Sequence, residues 1–126
     1  MAKIVYDVTC IVIDDDIDLR DIFVELLGIN NVTVLGTGIN GHEAFELYKK
    51  FNPTIVFLDE FMPDFDGRYG MEKIRKYSPH ANIILVTSAT KNELKFHKDD
   101  ITAMIEKPIQ MDQLMAIVNK MMSLHS

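Results

Sequence analysis

An α/β fold, with a five-stranded parallel sheet covered by helices on both faces, is predicted by three features of the sequence. Short apolar runs alternate with longer segments whose apolar residues recur at helical spacing, turn residues separate the two kinds, and polar residues stand at the carboxyl ends of four of the five apolar runs. Strict alternation implies right-handed crossovers and hence parallel strands. Doubly wound sheets of this size commonly take the strand order 2-1-3-4-5.

The first strand is predicted over residues 9–13, apolar and β-branched. A helix follows over 18–27, with Leu19, Ile22, Phe23, Leu26 and Leu27 as its apolar stripe and Gly28 as its stop. The second strand is expected over 32–35, closed by the glycine-rich stretch 36–41. Ala44, Phe45, Leu47, Tyr48 and Phe51 mark the next helix, which ends before Pro53. Four consecutive apolar residues, Ile55 to Leu58, read as a third strand buried on both faces. Met71, Ile74 and Tyr77 give a third helix that stops at Ser78-Pro79. The fourth strand is 83–86, and the polar, lysine-bearing stretch 88–98 is expected to form a short, mobile helix. A fifth strand at 102–105 is broken by Lys107-Pro108, and Leu114, Met115, Ile117, Val118, Met121 and Met122 describe a closing amphipathic helix.

At 126 residues the chain is read as one domain over 1–126, and 48% apolar content suffices for a packed core. A net charge of −6 argues against a nucleic-acid partner or an anionic membrane, which would need a concentrated basic patch. The single cysteine, Cys10, lies inside a strand-like run and permits no disulfide within the chain. Charges interrupt the first residues before an apolar stretch long enough for a signal peptide, and no run approaches a membrane span. A soluble, cytoplasmic protein is expected.

Asp59 ends the third apolar run and is followed by a turn-rich segment, Glu60 to Gly67, that cannot continue it. Open parallel sheets hold ligands at the carboxyl ends of their strands. Asp14 and Asp15 follow the first strand, Thr87 the fourth and Lys107 the fifth. With the first and third strands adjacent, Asp14, Asp15 and Asp59 converge. Their mutual repulsion calls for a proton or a divalent cation, and oxygen donors favour Mg2+, with Mn2+ also possible. A lysine ammonium and a threonine hydroxyl opposite them suit the oxygens of a phosphoryl group. This set points to phosphoryl transfer with Asp59 as nucleophile.

The chain resembles a response-regulator receiver domain of two-component signalling, of the stand-alone type. The resemblance is carried by Val12-Ile13-Asp14-Asp15-Asp16, Phe57-Leu58-Asp59 with Met62-Pro63 and Asp66-Gly67, Ile84-Leu85-Val86-Thr87, and Ile105-Glu106-Lys107-Pro108. It implies the flavodoxin-like (βα)5 arrangement. Asp59 would accept phosphate from the phosphohistidine of a sensor histidine kinase or phosphotransfer protein, and Thr87 and Lys107 would contact the phosphoryl oxygens. Asp14, Asp15, Asp59 and the backbone carbonyl of Phe61 would bind the metal. The face of the fourth helix, fifth strand and fifth helix would then signal to a downstream protein, from a monomer or a phosphorylation-dependent dimer. No catalysis on a separate substrate is implied. The family's usual aromatic three residues before the lysine is here Met104, and Phe61 and Ala89 occupy the positions that govern hydrolytic water, which suggests a long-lived phosphate.

The residues also admit other readings. Asp14, Asp16, Asp18 and Glu25 fall at positions 1, 3, 5 and 12 of an EF-hand loop, but Leu19 stands where its glycine is required and a strand precedes it. Asp16 and Asp18 fit a helix cap and first-turn charge instead. Asp64 and Asp66 read as turn formers, with Gly67 taking a positive φ. His42, His80, His97 and His125 show no ligand spacing, and the methionines of the last helix read as packing residues. Two alternative functions stay open: a degenerate receiver that binds a partner without phosphorylation, and an aspartate-based phosphatase using Asp14 and Asp16.

Overall fold

The computed structural model describes residues 8–88 and 100–123. Five parallel strands lie in the order β2-β1-β3-β4-β5, as β1 Val8–Ile13, β2 Val32–Gly38, β3 Ile55–Asp59, β4 Ile83–Thr87 and β5 Ala103–Glu106. Four helices are seen among the described residues: α1 Ile17–Ile29, α2 Gly41–Phe51, α3 Gly67–Tyr77 and α4 Met111–Ser123, the last being the predicted closing helix. The helix expected over 88–98 lies, beyond Ser88, outside the described residues.

Period-two alternation along each strand sorts the core into two layers. Cys10, Val12, Ile55, Phe57, Ile84, Val86 and Ile105 face Phe23 and Leu27 of α1 and Leu114, Val118 and Met121 of α4. Phe23 meets Phe57 edge to face, with ring centroids 5.1 Å apart. Ile11, Ile13, Val56, Leu58 and Ile83 face Ala44 and Tyr48 of α2 and Met71 and Ile74 of α3. The methionines assigned to packing divide accordingly: Met121 is buried in the first layer, and Met111, Met115 and Met122 pack against it half-buried.

The helices begin where the sequence provides a cap. Asp16 accepts from the Leu19 amide, with Asp18 in the first turn of α1. Asn40 accepts from the Glu43 amide while the Glu43 carboxylate reaches back to the Ile39 amide, close to a capping box. Asp66 likewise accepts from the Tyr69 amide at the start of α3, so it is a helix cap and not merely a turn former.

Four glycines depart from expectation. Gly28 lies within α1, and the chain turns instead at Asn31, where φ is 64°. Gly36 and Gly38 belong to β2, which runs three residues past the predicted end: a register shift beside Cys10/Ile11 passes over Leu35 and keeps pairing through Ile13↔Gly38. A Cβ on Gly36 would lie 3.1 Å from the Leu47 and Phe51 side chains, so glycine lets α2 lie close on the sheet. Gly67 does not adopt positive φ; Asp64 does, at 69°. Gly67 is required for close approach, because a Cβ there would collide with the Asp59 carbonyl oxygen and lie 2.9 Å from the Glu60 Cα. The start of α3 is thereby pressed onto the end of β3.

Two glycine substitutions should act with opposite sign. Gly67→Ala is expected to destabilise by ~1–3 kcal/mol, since backbone must shift. Gly28→Ala, with nothing within 4 Å of the added methyl, is expected to stabilise by ~0.5–1 kcal/mol through helix propensity. Urea unfolding of the two variants beside the wild type measures both.

Candidate functional site at the carboxyl edge of the sheet

The alternation that builds the core also sorts the polar residues at the strand ends. Asp14 comes two residues after Val12, Asp59 two after Phe57, and Lys107 two after Ile105, so all three continue the α1/α4 side of the sheet. The Lys107 Nζ lies 3.2 Å from Asp14 Oδ2 and 3.4 Å from Asp59 Oδ2. Asp14 and Asp59 are buried, and Asp15, on the turn into α1, is exposed. One carboxylate oxygen from each of Asp14, Asp15 and Asp59 falls within 4.8 Å of the others. The predicted convergence of these three carboxylates is therefore present.

Backbone and side-chain bonds hold these groups at the edge. The Asp14 amide donates to the Gly38 carbonyl, which extends the β1–β2 pairing by one residue, and Asp14 Oδ1 accepts from the Asp16 amide. The Lys107 amide donates to the Thr87 carbonyl, extending the β4–β5 pairing in the same way. The Lys107–Pro108 peptide bond is cis.

Burial, with an added push from the Asp14 charge, raises the Asp59 carboxyl to about 7 even though Lys107 pulls it down. For Lys107, burial alone would lower the pKa, but Asp59 and Asp14 more than offset it and the net direction is upward. The three carboxylate oxygens of Asp14, Asp15 and Asp59 are hard donors of the kind that fits Mg2+. Cys10 is not part of this chemistry: burial pushes its thiol up to about 12, far from the reactive thiolate.

The opposite side of the sheet edge carries a second polar contact, one that composition and strand-end inspection missed. Glu60 is 4% exposed and Thr87 0%, and the Thr87 hydroxyl donates to Glu60 Oε2 at 2.8 Å. Asp59 pairs with Val86 in the β3–β4 register, so the next residues along are Glu60 and Thr87. The register was the available signal. Reading Glu60 as part of a turn concealed it.

Phe61, in the loop after β3, is 54% exposed, and Met104 is half-buried in β5. Ala89 lies outside the described residues. Leu19 and Ile22 of α1, predicted as core, are exposed instead. With Phe23, Phe57, Val86 and Ile109 they line an apolar cavity of about 500 Å3 that reaches Asp14, Asp59 and Lys107.

An open parallel sheet of this order, with acidic residues and a lysine gathered at its carboxyl edge, defines a doubly wound α/β domain with a polar site at the strand ends. Residues 10–119 match the response regulator receiver domain, and the chain belongs to that family. The chemotaxis protein CheY of Bacillus subtilis is 28% identical over 112 residues, covering 87% of this chain and 93% of that protein. CheY of Halobacterium salinarum is 29% identical over 115 residues, covering 90% and 95%. Among solved structures, the response regulator TrrA of Thermotoga maritima in complex with Mg2+ and BeF superposes with a TM-score of 0.82 at 27% identity, covering 90% of this chain and 98% of that one. A receiver domain protein of Clostridium thermocellum gives 0.84 at 23% identity over 94% and 96%, a likeness of fold. Among the described residues no helix is long and apolar enough to cross a membrane.

The raised Asp59 pKa fixes a sign for stability. Between about pH 4 and 7 the folded protein holds a proton that the unfolded chain releases, so Asp59 makes stability fall as pH rises through that window. With metal chelated, Asp59→Asn should raise Tm by ~4 °C or more at pH 8. The gain should fade as the pH is lowered towards 4, which thermal melts across the range would measure.

Proposed function

We propose that residues 1–126 act in the cytoplasm as a phosphoacceptor switch or relay, with Asp59 taking a phosphoryl group from the phosphohistidine of a sensor kinase or phosphotransfer protein. The observation that carries this reading is the pairing of a buried Asp59 carboxylate with the Lys107 ammonium beside two further carboxylates. In the transfer, an Asp59 carboxylate oxygen forms the new P–O bond as the P–N bond breaks, and the electron pair of that bond stays on the departing imidazole. In this reading Lys107 would neutralise charge on the phosphoryl oxygens, and the Thr87 hydroxyl, given to Glu60 in the unmodified protein, would turn to donate to one of them. Asp14, Asp15, Asp59 and the Phe61 carbonyl would hold Mg2+, which supplies charge neutralisation at the phosphoryl oxygens when bound.

The apolar cavity along Leu19 and Ile22 opens beside Asp59, which supports access by a phosphodonor protein. On the output side, the half-buried Met104 of β5 occupies the family's aromatic position, and the surface around β5 and α4 is the proposed contact for a downstream protein. The same chemistry makes the domain assist only its own phosphorylation and dephosphorylation. A partner-binding module without phosphorylation has no observation of its own in its favour, because Asp59, Lys107 and the acidic cluster are all together. The phosphatase reading is weakened by Asp16, which caps α1 through the Leu19 amide and is thereby occupied away from the acid–base role it would need.

Incubation with acetyl phosphate and Mg2+ followed by intact-mass measurement tests the reading. One labile phosphate is expected on the wild type and none on Asp59→Asn. An unmodified wild type, or steady turnover of unrelated phosphomonoesters, contradicts it. The exposed apolar Phe61 offers a hydrolytic water no hydrogen bond from its side chain. The phosphorylated form should therefore persist well beyond seconds after removal of the donor, and decay within seconds would overturn the expected slow hydrolysis.

A further inference from the structure

The contact between Glu60 and Thr87 has a consequence for how a modified Asp59 reaches its neighbours. We propose that Glu60 is a positioning residue that latches the Thr87 hydroxyl in the unmodified protein, so that a group on Asp59 must displace the Glu60 carboxylate to recruit Thr87. The inference rests on the phosphoacceptor reading and deepens it.

A threonine hydroxyl carries one O–H donor, so it can serve one anionic oxygen at a time. In the unmodified protein that donor is given to Glu60 Oε2 at 2.8 Å, in a buried pair. Hydrogen bonds to an ionised acceptor are stronger than neutral ones, and burial shields this one from competing water. Strand alternation sets the direction of the latch. Asp59 lies with Lys107 and Asp14 on the α1/α4 side, whereas Glu60 and Thr87 continue the other parity of β3 and β4. An anionic group on Asp59 must therefore draw the hydroxyl across the edge while Glu60 retains it.

Two anions then compete for one proton donor. Glu60 makes the switched state harder to reach, and the Thr87 hydroxyl contributes to that state only after Glu60 releases it. The turn after Asp59 makes Glu60 well anchored: its carbonyl accepts from the Gly67 amide at 3.0 Å, and Gly67 is packed against the Asp59 and Glu60 backbone. The carboxylate can thus be displaced by side-chain rotation without moving the strand end.

Beryllofluoride binding at saturating Mg2+, measured by calorimetry, tests the latch on wild type, Glu60→Gln, Thr87→Val and the double variant. Glu60→Gln is expected to bind about tenfold tighter than wild type, equivalent to ~1.4 kcal/mol, and this gain should vanish when Thr87 is already Val. Glu60→Ala, a second variant, should show the same pattern. A gain of equal size in the Thr87→Val background would mean a general charge effect and would overturn the latch. Thermal melts of the same four proteins in chelator provide a reading without metal: the two substitutions should be non-additive, and additive melting also overturns it. Binding by wild type and Glu60→Gln with equal affinity overturns the latch alone and leaves the phosphoacceptor reading intact. Failure of both to bind overturns that reading and the latch together.

Discussion

The Lys107 ammonium, placed between Asp14 and Asp59, is the contact on which the rest of the site depends. It joins groups 93 and 48 residues apart in sequence, so it exists only when β1, β3 and β5 present their carboxyl ends to one edge. Two buried carboxylates side by side would otherwise repel without compensation. The lysine offsets that repulsion only in part. Burial and the Asp14 charge still prevail over it at Asp59, whose pKa stays raised.

The fold serves this contact through simple alternation. Residues two positions beyond Val12, Phe57 and Ile105 become the acid–lysine cluster, and the intervening parity gives the Glu60–Thr87 pair. Gly67 sets the boundary between strand and site, since only a residue without a side chain allows α3 to begin against the Asp59 carbonyl. Packing and chemistry are therefore not separable at this edge. A change that moves the start of α3 also moves the residues flanking Asp59.

Much of this was legible in the residues. The alternation of apolar runs and helical stripes, the strand order, the cap at Asp16 with the first-turn charge of Asp18, and the meeting of Asp14, Asp15, Asp59 and Lys107 all follow from local pattern plus topology. What was not legible depended on close approach or on register. Gly36 and Gly38 look like turn residues until α2 is laid against them, and Gly67 looks like a positive-φ residue until the Asp59 carbonyl is seen beside it. Leu19 and Ile22 have the spacing of core positions, yet they border an open cavity because Phe23 and Leu27 already fill the contact with the sheet. Glu60 was hidden because its partner is set by strand pairing, not by sequence neighbours.

In the proposed phosphoacceptor reading Asp59 is the reacting group, and the Glu60–Thr87 pair follows from the β3–β4 register. The central claim is that Asp59 is a buried carboxylate whose charge Lys107 only partly compensates. Carbon-13 NMR of the Asp59 carboxyl, titrated first in chelator and then in Mg2+, measures this directly. The account predicts a midpoint raised to about 7 without metal, well above the ordinary 3.8, and a downward shift when Mg2+ is added. A midpoint near 3.8 in chelator, unmoved by Mg2+, would contradict it.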